Sequence, residues 1–308
     1  MKYSAYIRRL LACSILLTTV FIQRTIAQTL SDAAALQEPS ATQYFLNQYL
    51  ANPAMAGIDS GVHINAAHRR QWSAIDGAPV NSFFTADAAM GSRVGAGIHV
   101  FNDVAGLLNR TRVALSYAYH LPLSDRGQQL HFGLSLALNI QRIDYAKING
   151  DPNDPSIGAF NRRDNYFEGE YGMAYTDAHW TVQGSIPNIR SLVTGDDKAV
   201  DGGGIFYTAA AYQFIFTDGA LSTVTPKLAY RGIKGYDNIL DAGINIAFLD
   251  NALNGTLLYH TSGSATAGIG VNIRKTLSVM AMYTTQTGGI KTYVDGGFEV
   301  GMRLDLFR

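Results

Sequence analysis

Residues 297–307 read Gly-Phe-Glu-Val-Gly-Met-Arg-Leu-Asp-Leu-Phe. Phe298, Val300, Met302, Leu304 and Leu306 fall on one parity, and Gly297, Glu299, Gly301, Arg303 and Asp305 on the other. A β-strand sends alternate side chains to opposite faces, so this stretch has one apolar wall and one polar wall. An aromatic residue at the end of such a strand is the ending expected of a bacterial outer-membrane barrel. In lipid, an unpaired strand edge leaves backbone groups without partners, so this strand must close against the first one.

The same period of two runs back through the chain. Val94, Ala96, Ile98 and Val100 oppose Arg93, Gly95, Gly97 and His99. Val113, Leu115, Tyr117 and Tyr119 oppose Arg112, Ala114, Ser116 and His120, and Leu130, Phe132, Leu134 and Leu136 oppose His131, Gly133 and Ser135. Further alternating segments begin near residues 61, 84, 171, 180, 228, 240, 257, 267 and 277. Two segments alternate less cleanly. Residues 205–214 are apolar on both faces, and Met280 and Met282 blur the polar face of residues 277–284. The total is about fourteen strands, an even number as bacterial single-chain barrels have. The expected fold is all-β: a transmembrane antiparallel up-and-down β-barrel of about 14 strands.

Composition agrees. Only 16% of the 308 residues are charged, against about 25% in soluble domains. The formal net charge is zero, which gives no electrostatic case for nucleic acid. Beyond the N-terminus no apolar run approaches the ~20 residues of a helical span. Lys2, Arg8 and Arg9 precede an apolar run at residues 10–22, and Thr25-Ile26-Ala27 offers a cleavage site, so residues 1–27 are expected to be a signal peptide. Cys13 lies inside that run, and the chain has no other cysteine. Residues 28–60 lack strand alternation and are expected to be a periplasmic or lumen-facing lead. Tyr44-Phe45-Leu46 and Tyr49-Leu50 have helical spacing there, ended by Asn52-Pro53. Residues 61–308 are the expected outer-membrane barrel.

The connections sort into two alternating sets. Residues 90–92, 122–129, 176–179, 218–221, 250–252 and 274–276 form short turns. Residues 71–79, 102–110, 144–165, 187–203 and 285–295 form longer loops. Short periplasmic turns and longer outer loops are the signature of this barrel class.

No stretch carries the spacing of a catalytic, cofactor or metal motif. His120 and His131 flank the 122–129 turn, and a hairpin there places them opposite each other on the polar face. A third metal ligand is missing, so they read as polar residues at the rim. Asp151-Pro152-Asn153-Asp154-Pro155 lacks the spacing of a calcium loop and reads as a rigid surface loop. Asn161-Arg162-Arg163-Asp164 reads as a solvated face. Arg69-Arg70-Gln71-Trp72 leads into the first long loop. Arg and Trp there suit either an interfacial anchor or a partner contact, and the residues alone leave both open.

Several of these stretches together resemble one family. Asn52-Pro53-Ala54-Met55-Ala56-Gly57, then Arg70-Gln71-Trp72 with Pro79 following, then Asn102-Asp103-Val104-Ala105-Gly106 and Leu115-Ser116-Tyr117-Ala118-Tyr119, resemble the PorP/SprF family of type IX secretion outer-membrane proteins. The likeness runs from about Gln43 through Tyr212-Gln213-Phe214, Pro226 and Phe298-Glu299-Val300. It implies a non-enzymatic outer-membrane barrel, without cofactor, that serves type IX secretion or gliding motility. It also implies partners: other subunits of that machinery, and a large secreted adhesin-like protein recognised through a C-terminal sorting domain. Asn52, Pro53, Ala54, Gly57, Arg70, Gln71, Trp72, Asn102, Asp103 and Gly106 are the family-motif residues that would bind a partner. The alternative is a passive or small-solute channel, motivated by the Gly-rich polar faces.

Overall fold

The computed structural model describes residues 40–71, 77–144, 165–194, 204–233, 237–286 and 296–307. All of them fall in one compact unit, Ala33–Arg308. The proposed cleavage site, Trp72, and the Asp151 and Asn161 runs lie outside the described residues.

The described chain forms fourteen strands. They are β1 (Val62–Arg70), β2 (Val80–Ala89), β3 (Val94–Ala105), β4 (Leu108–Pro122), β5 (Gln129–Ile143), β6 (Tyr166–Thr176) and β7 (Trp180–Ile186). Then come β8 (Gly204–Tyr212, continued by Phe214–Ile215), β9 (Leu221–Ile233), β10 (Ile239–Phe248), β11 (Leu253–His260), β12 (Ser264–Ile273), β13 (Leu277–Gln286) and β14 (Gly297–Leu306). Each pairs antiparallel with its neighbours in sequence, and β14 returns to pair with β1 from Val62↔Leu306 to Arg70↔Phe298. The sheet is therefore a closed barrel with no free edge, as the alternation of the last strand requires.

The apolar parity faces outward. Leu115, Leu134, Leu136, Phe167, Leu228, Leu257, Tyr283 and Phe298 are all more than half exposed. The opposite parity is polar, yet His63, Asn65, Arg69, Thr85, Asp87, His99, Glu170, Arg231, Asp241, His260 and Glu299 are all buried. A soluble protein would have this arrangement inside out. Here lipid covers the apolar wall and the barrel interior takes the polar one.

The two ambiguous segments resolve. Tyr207, Ala209 and Ala211 on β8, and Met280 and Met282 on β13, face the lumen and are buried. All of these but Ala211 join Ala229 and Leu258 in an apolar patch on an otherwise polar inner wall. Its cover is the segment before β1. Ala41, Tyr44, Phe45, Leu46 and Ala51 pack on this patch. Burying each large side chain contributes roughly 1.5–3 kcal/mol.

The segment before β1 has three short helical pieces: α1 (Thr42–Phe45) and two 3-10 turns, Gln48–Leu50 and Pro53–Met55. It runs down the inside of the barrel. Ser40 and Thr42 bond Glu299, near the start of β14, and Tyr44 bonds Asp241, near the start of β10. Gly57 bonds Asp87, near the end of β2. The long-loop end of the barrel therefore holds Ser40, and the short-turn end holds Gly57. Fourteen strands enclose more space than wall side chains alone can fill, and this segment occupies it.

The short turns include 90–93, 123–128, 177–179, 249–252 and 274–276, all at the end where β1 begins and β14 finishes. Leu249, Asp250, Asn251, Arg274 and Lys275 have positive φ, as tight hairpins demand. In the 177–179 turn, Asp177 accepts from the backbone N–H groups of Trp180 and His179 at 2.7 and 2.8 Å. These bonds hold its carboxyl below the ordinary range. The turn gains this support above the ordinary carboxylate pKa and loses it as pH falls through the lowered one.

One expected loop is not a loop. Residues 102–110 belong to β3 and β4, which continue to the pair Ala105↔Leu108 and turn at Gly106-Leu107. Asn102, Asp103, Asn109 and Arg110 rise above the lipid-facing band. There a strand carries polar residues on both faces, which in sequence look like a loop. At the 187–203 connection, α2 (Ile189–Thr194) follows β7, and Glu168 of β6 accepts from the Arg190 N–H at 2.5 Å.

The seam can be tested directly. Ala67 sits mid-strand on β1 between Gly301 and Phe83. Ala67→Pro deletes a ladder N–H and strands its acceptor in the membrane, which costs several kcal/mol. The variant is expected to lose the compact, heat-modifiable band on cold SDS gels; a wild-type band would mean the seam does not carry closure.

Candidate functional site

The motif residues separate into two groups at opposite ends of the barrel. The first is Asn52-Pro53-Ala54 with Gly57, deep in the lumen toward the short-turn end. Asn52 is fully buried, and its Oδ1 caps the 3-10 turn by accepting from the Ala54 N–H at 2.9 Å. Its Nδ2 donates to the Met173 carbonyl at 3.1 Å and, more weakly, to the Gly184 carbonyl and Gln183 Oε1 at 3.4 Å. Pro53 opens that turn at the position where a missing N–H costs nothing. Ala54 and Ala56 have no exposed surface.

The wall is cut to fit. A Cβ added at Gly172 would lie 1.9 Å from Asn52 Oδ1, and one at Gly133 would lie 2.2 Å from the Ala54 nitrogen. Gly57 has φ +62°, and its N–H donates to Asp87 at 2.8 Å. Each residue type in the Asn-Pro-Ala-x-Ala-Gly stretch thus has a steric or hydrogen-bonding reason: a cap, a turn, two small contacts and a left-handed exit.

The second group sits at the long-loop end. Arg70 is exposed on the outer wall, whereas Arg69 turns inward and is buried. Gln71 is buried, with its N–H on the Pro79 carbonyl at 3.0 Å. Its Oε1 has no partner among the described residues. Gly106, at φ +58°, donates to the Gly77 carbonyl at 2.9 Å, which ties the β3–β4 hairpin tip to the 71–79 loop. Asp103 accepts from Asn81 Nδ2 at 2.7 Å. Asn102 Nδ2 donates to Asn109 Oδ1 and Thr111 Oγ1 at 2.8 and 2.9 Å. Gln71, Asp103 and Gly106 therefore buttress one corner of the outer rim. They are not in contact with the Asn52 group.

The inner wall also carries ion pairs that no motif announces. Asp241 accepts from Arg231 Nε at 2.8 Å and from the Tyr44 hydroxyl at 2.6 Å, and its other oxygen meets His260 Nδ1 at 2.6 Å. Across the lumen Glu170 meets Arg112 Nη2 at 2.6 Å. Nearer the short-turn end Asp305 bridges His63 Nδ1 at 2.5 Å and Arg303 Nε at 2.8 Å. The available signal was a charged residue recurring on the inward parity of strand after strand. In a barrel this wide, such charges must pair or meet water.

His120 and His131 do face each other across the β4–β5 hairpin, with Nδ1 atoms 2.8 Å apart. The remaining ring nitrogens bind the Ala56 carbonyl at 3.1 Å and Thr176 Oγ1 at 2.8 Å. That arrangement uses up both rings, and no group of three or more metal-ligating side chains occurs among the described residues.

A closed antiparallel barrel with an apolar outer wall and a charged, filled interior is an integral outer-membrane β-barrel protein. The profile of the type IX secretion system membrane protein PorP/SprF matches residues 33–304, and the chain belongs to that family. Its place is the outer membrane. Among solved structures, the CymD monoaromatic hydrocarbon channel is similar at 11% identity over 87% of this chain and 93% of that chain, with a TM-score of 0.50. The outer membrane protein Omp33 of Acinetobacter baumannii is similar at 8% identity over 81% of this chain and 100% of its own, with a TM-score of 0.48. The toluene transporter TbuX of Ralstonia pickettii is similar at 12% identity over 84% and 93% of the two chains, also at 0.48. Such low identities speak to fold alone. No match was found among curated proteins.

Two substitutions test this anatomy. Gly172→Val is expected to push Asn52 and Pro53 off the wall while the strands still close; protease should then cut within residues 40–60 of an otherwise folded barrel. Asp241→Ala leaves Arg231 buried without its carboxylate, at a cost of about 3–5 kcal/mol. The temperature at which the folded gel band disappears should fall well below wild type, and further than for Asp241→Asn.

Proposed function

We propose that this barrel works by holding a protein rather than by passing a solute or catalysing a reaction. Its ligand is the C-terminal sorting domain of a large secreted adhesin-like protein, held beside other subunits of the type IX secretion or gliding machinery. One observation carries this reading: the lumen is occupied from the Glu299 level to the Asp87 level by the chain's own residues 40–57. What remains for a partner is the outer rim. There Arg70 is exposed, Gln71 and Gly106 bond Pro79 and Gly77, and Asp103 bonds Asn81. Arg70 and Trp72 supply the residue types that most often anchor interfaces.

The filled lumen counts against the passive-channel alternative, and the similarity in fold to named channels does not supply that activity.

Affinity capture from outer membranes solubilised in mild detergent is expected to recover a large secreted protein together with secretion-machinery subunits. Recovery of the barrel alone, with normal secretion in a deletion strain, would sink the proposal. Arg70→Ala and Trp72→Ala should lower surface delivery of the partner while the barrel inserts normally. Planar bilayers containing the wild-type protein should show no steady conductance.

A further inference from the structure

The segment inside the lumen has an unusual chemical split. From Ser40 to Gly57 it contains no charged side chain and no histidine. The wall that surrounds it is charged, and much of that charge is aimed at the segment's main chain. Glu299 accepts from the Ala41 and Thr42 N–H groups at 2.9 and 3.2 Å. Lys227 Nζ donates to the Tyr44 carbonyl at 2.6 Å, and Arg303 Nη1 to the Leu46 carbonyl at 3.2 Å. Ser185 Oγ donates to the Ala51 carbonyl at 2.6 Å. His120 Nε2 meets the Ala56 carbonyl at 3.1 Å, and Asp87 accepts from the Gly57 N–H at 2.8 Å.

Any segment buried in a lumen must have its main-chain N–H and C=O groups paired; here charged side chains of the wall supply many of those partners. This one is gripped along its length through groups that every peptide has. Steric fit serves both parts of the segment: Gly95 and Gly133 open the wall to its backbone, and Gly97, Gly172 and Gly301 open it to the side chains of Tyr49, Asn52 and Thr42. The Cβ that Gly95 lacks would lie 1.9 Å from the Ala56 carbonyl oxygen, so backbone meets backbone there. Main-chain hydrogen bonds give affinity, and a few pockets give selectivity, in peptide recognition generally. The pockets here take Tyr44 at Asp241 and Tyr49 at Ser116, 2.6 and 2.7 Å away.

We propose that the barrel lumen is a peptide-binding site that reads main chain, and that residues 40–57 are its ligand in cis. An uncharged peptide of the same backbone path is then a competent ligand in trans. This stands apart from the role proposed for the outer rim and needs no secreted partner.

The test uses the full chain. A specific protease sequence is placed between Asp59 and Ser60, both exposed, and the folded barrel is cut in detergent; a second variant carries it between Ile58 and Asp59 in case the first does not fold. The probe is a fluorescent peptide of residues 40–59. The cut barrel is expected to keep its folded gel mobility and to exchange its own segment for the probe at one per barrel. A probe N-methylated at Thr42 and Gly57 should bind at least roughly tenfold more weakly, because each methyl removes a charge-assisted bond. Glu299→Gln should weaken the parent probe, and should cost less binding of a probe methylated at Thr42 than of the parent. If the cut segment leaves only when the barrel unfolds, or if the methylated probe binds like the parent, the lumen is a fixed core and the proposal is wrong.

Discussion

The β1–β14 seam is the contact on which the rest of the structure depends. Without it, two strand edges would face lipid with a row of unpaired N–H and C=O groups, and no side-chain contact could compensate. Pairing from Val62↔Leu306 to Arg70↔Phe298 removes both edges. Closure then creates a second problem, because fourteen strands surround a space that their inward side chains do not fill. The chain answers it with residues 40–57. The wall accommodates them by glycine where backbone must pass, by an apolar patch under Tyr44, Phe45 and Leu46, and by charge where main-chain groups need partners.

Much of this was legible in sequence, for a physical reason. Lipid on one side and a polar lumen on the other force a strict period of two, so the strands, their facing and the partner of the last strand could be read directly. The departures from alternation were informative as well. Tyr207, Ala209, Met280 and Met282 put apolar groups on the lumen face, and each lies in the cluster covered by Tyr44. What the alternation leaves open is which of the two expected places, periplasmic or lumen-facing, the lead before β1 takes. Residues 40–57 follow no repeat, and their hold on the wall is shared between main-chain bonds and single side chains such as Asn47, Tyr49 and Asn52, which form no periodic pattern. The β3–β4 hairpin was misread for a related reason. Above the membrane the constraint on the outer face disappears, and residues such as Asn102 and Asn109 look like loop.

The candidate site residues divide along the same line. Asn52, Pro53, Ala54 and Gly57 form a motif in sequence because they form a contact in space: cap, turn and exit against Gly133, Gly172 and Asp87. Gln71, Asp103 and Gly106 form a brace at the other end. The charges that tie the interior together, Asp241 with Arg231 and Glu170 with Arg112, belong to no recognisable motif. Their partners come from different strands, so nothing in the local sequence pairs them.

The path of the segment from the Glu299 level down to Gly57 also dictates an order of events. A closed wall admits no chain from the side, and the segment is joined to β1 at the short-turn end. Residues 40–57 must therefore lie against the nascent sheet before β14 reaches β1, or be drawn upward afterwards through a lumen they fill. The first route has a built-in checkpoint. Glu299, which receives the Ala41 and Thr42 N–H groups, is carried by β14, the last strand to be made. Completion of the barrel and capture of the segment's first turn are then a single step.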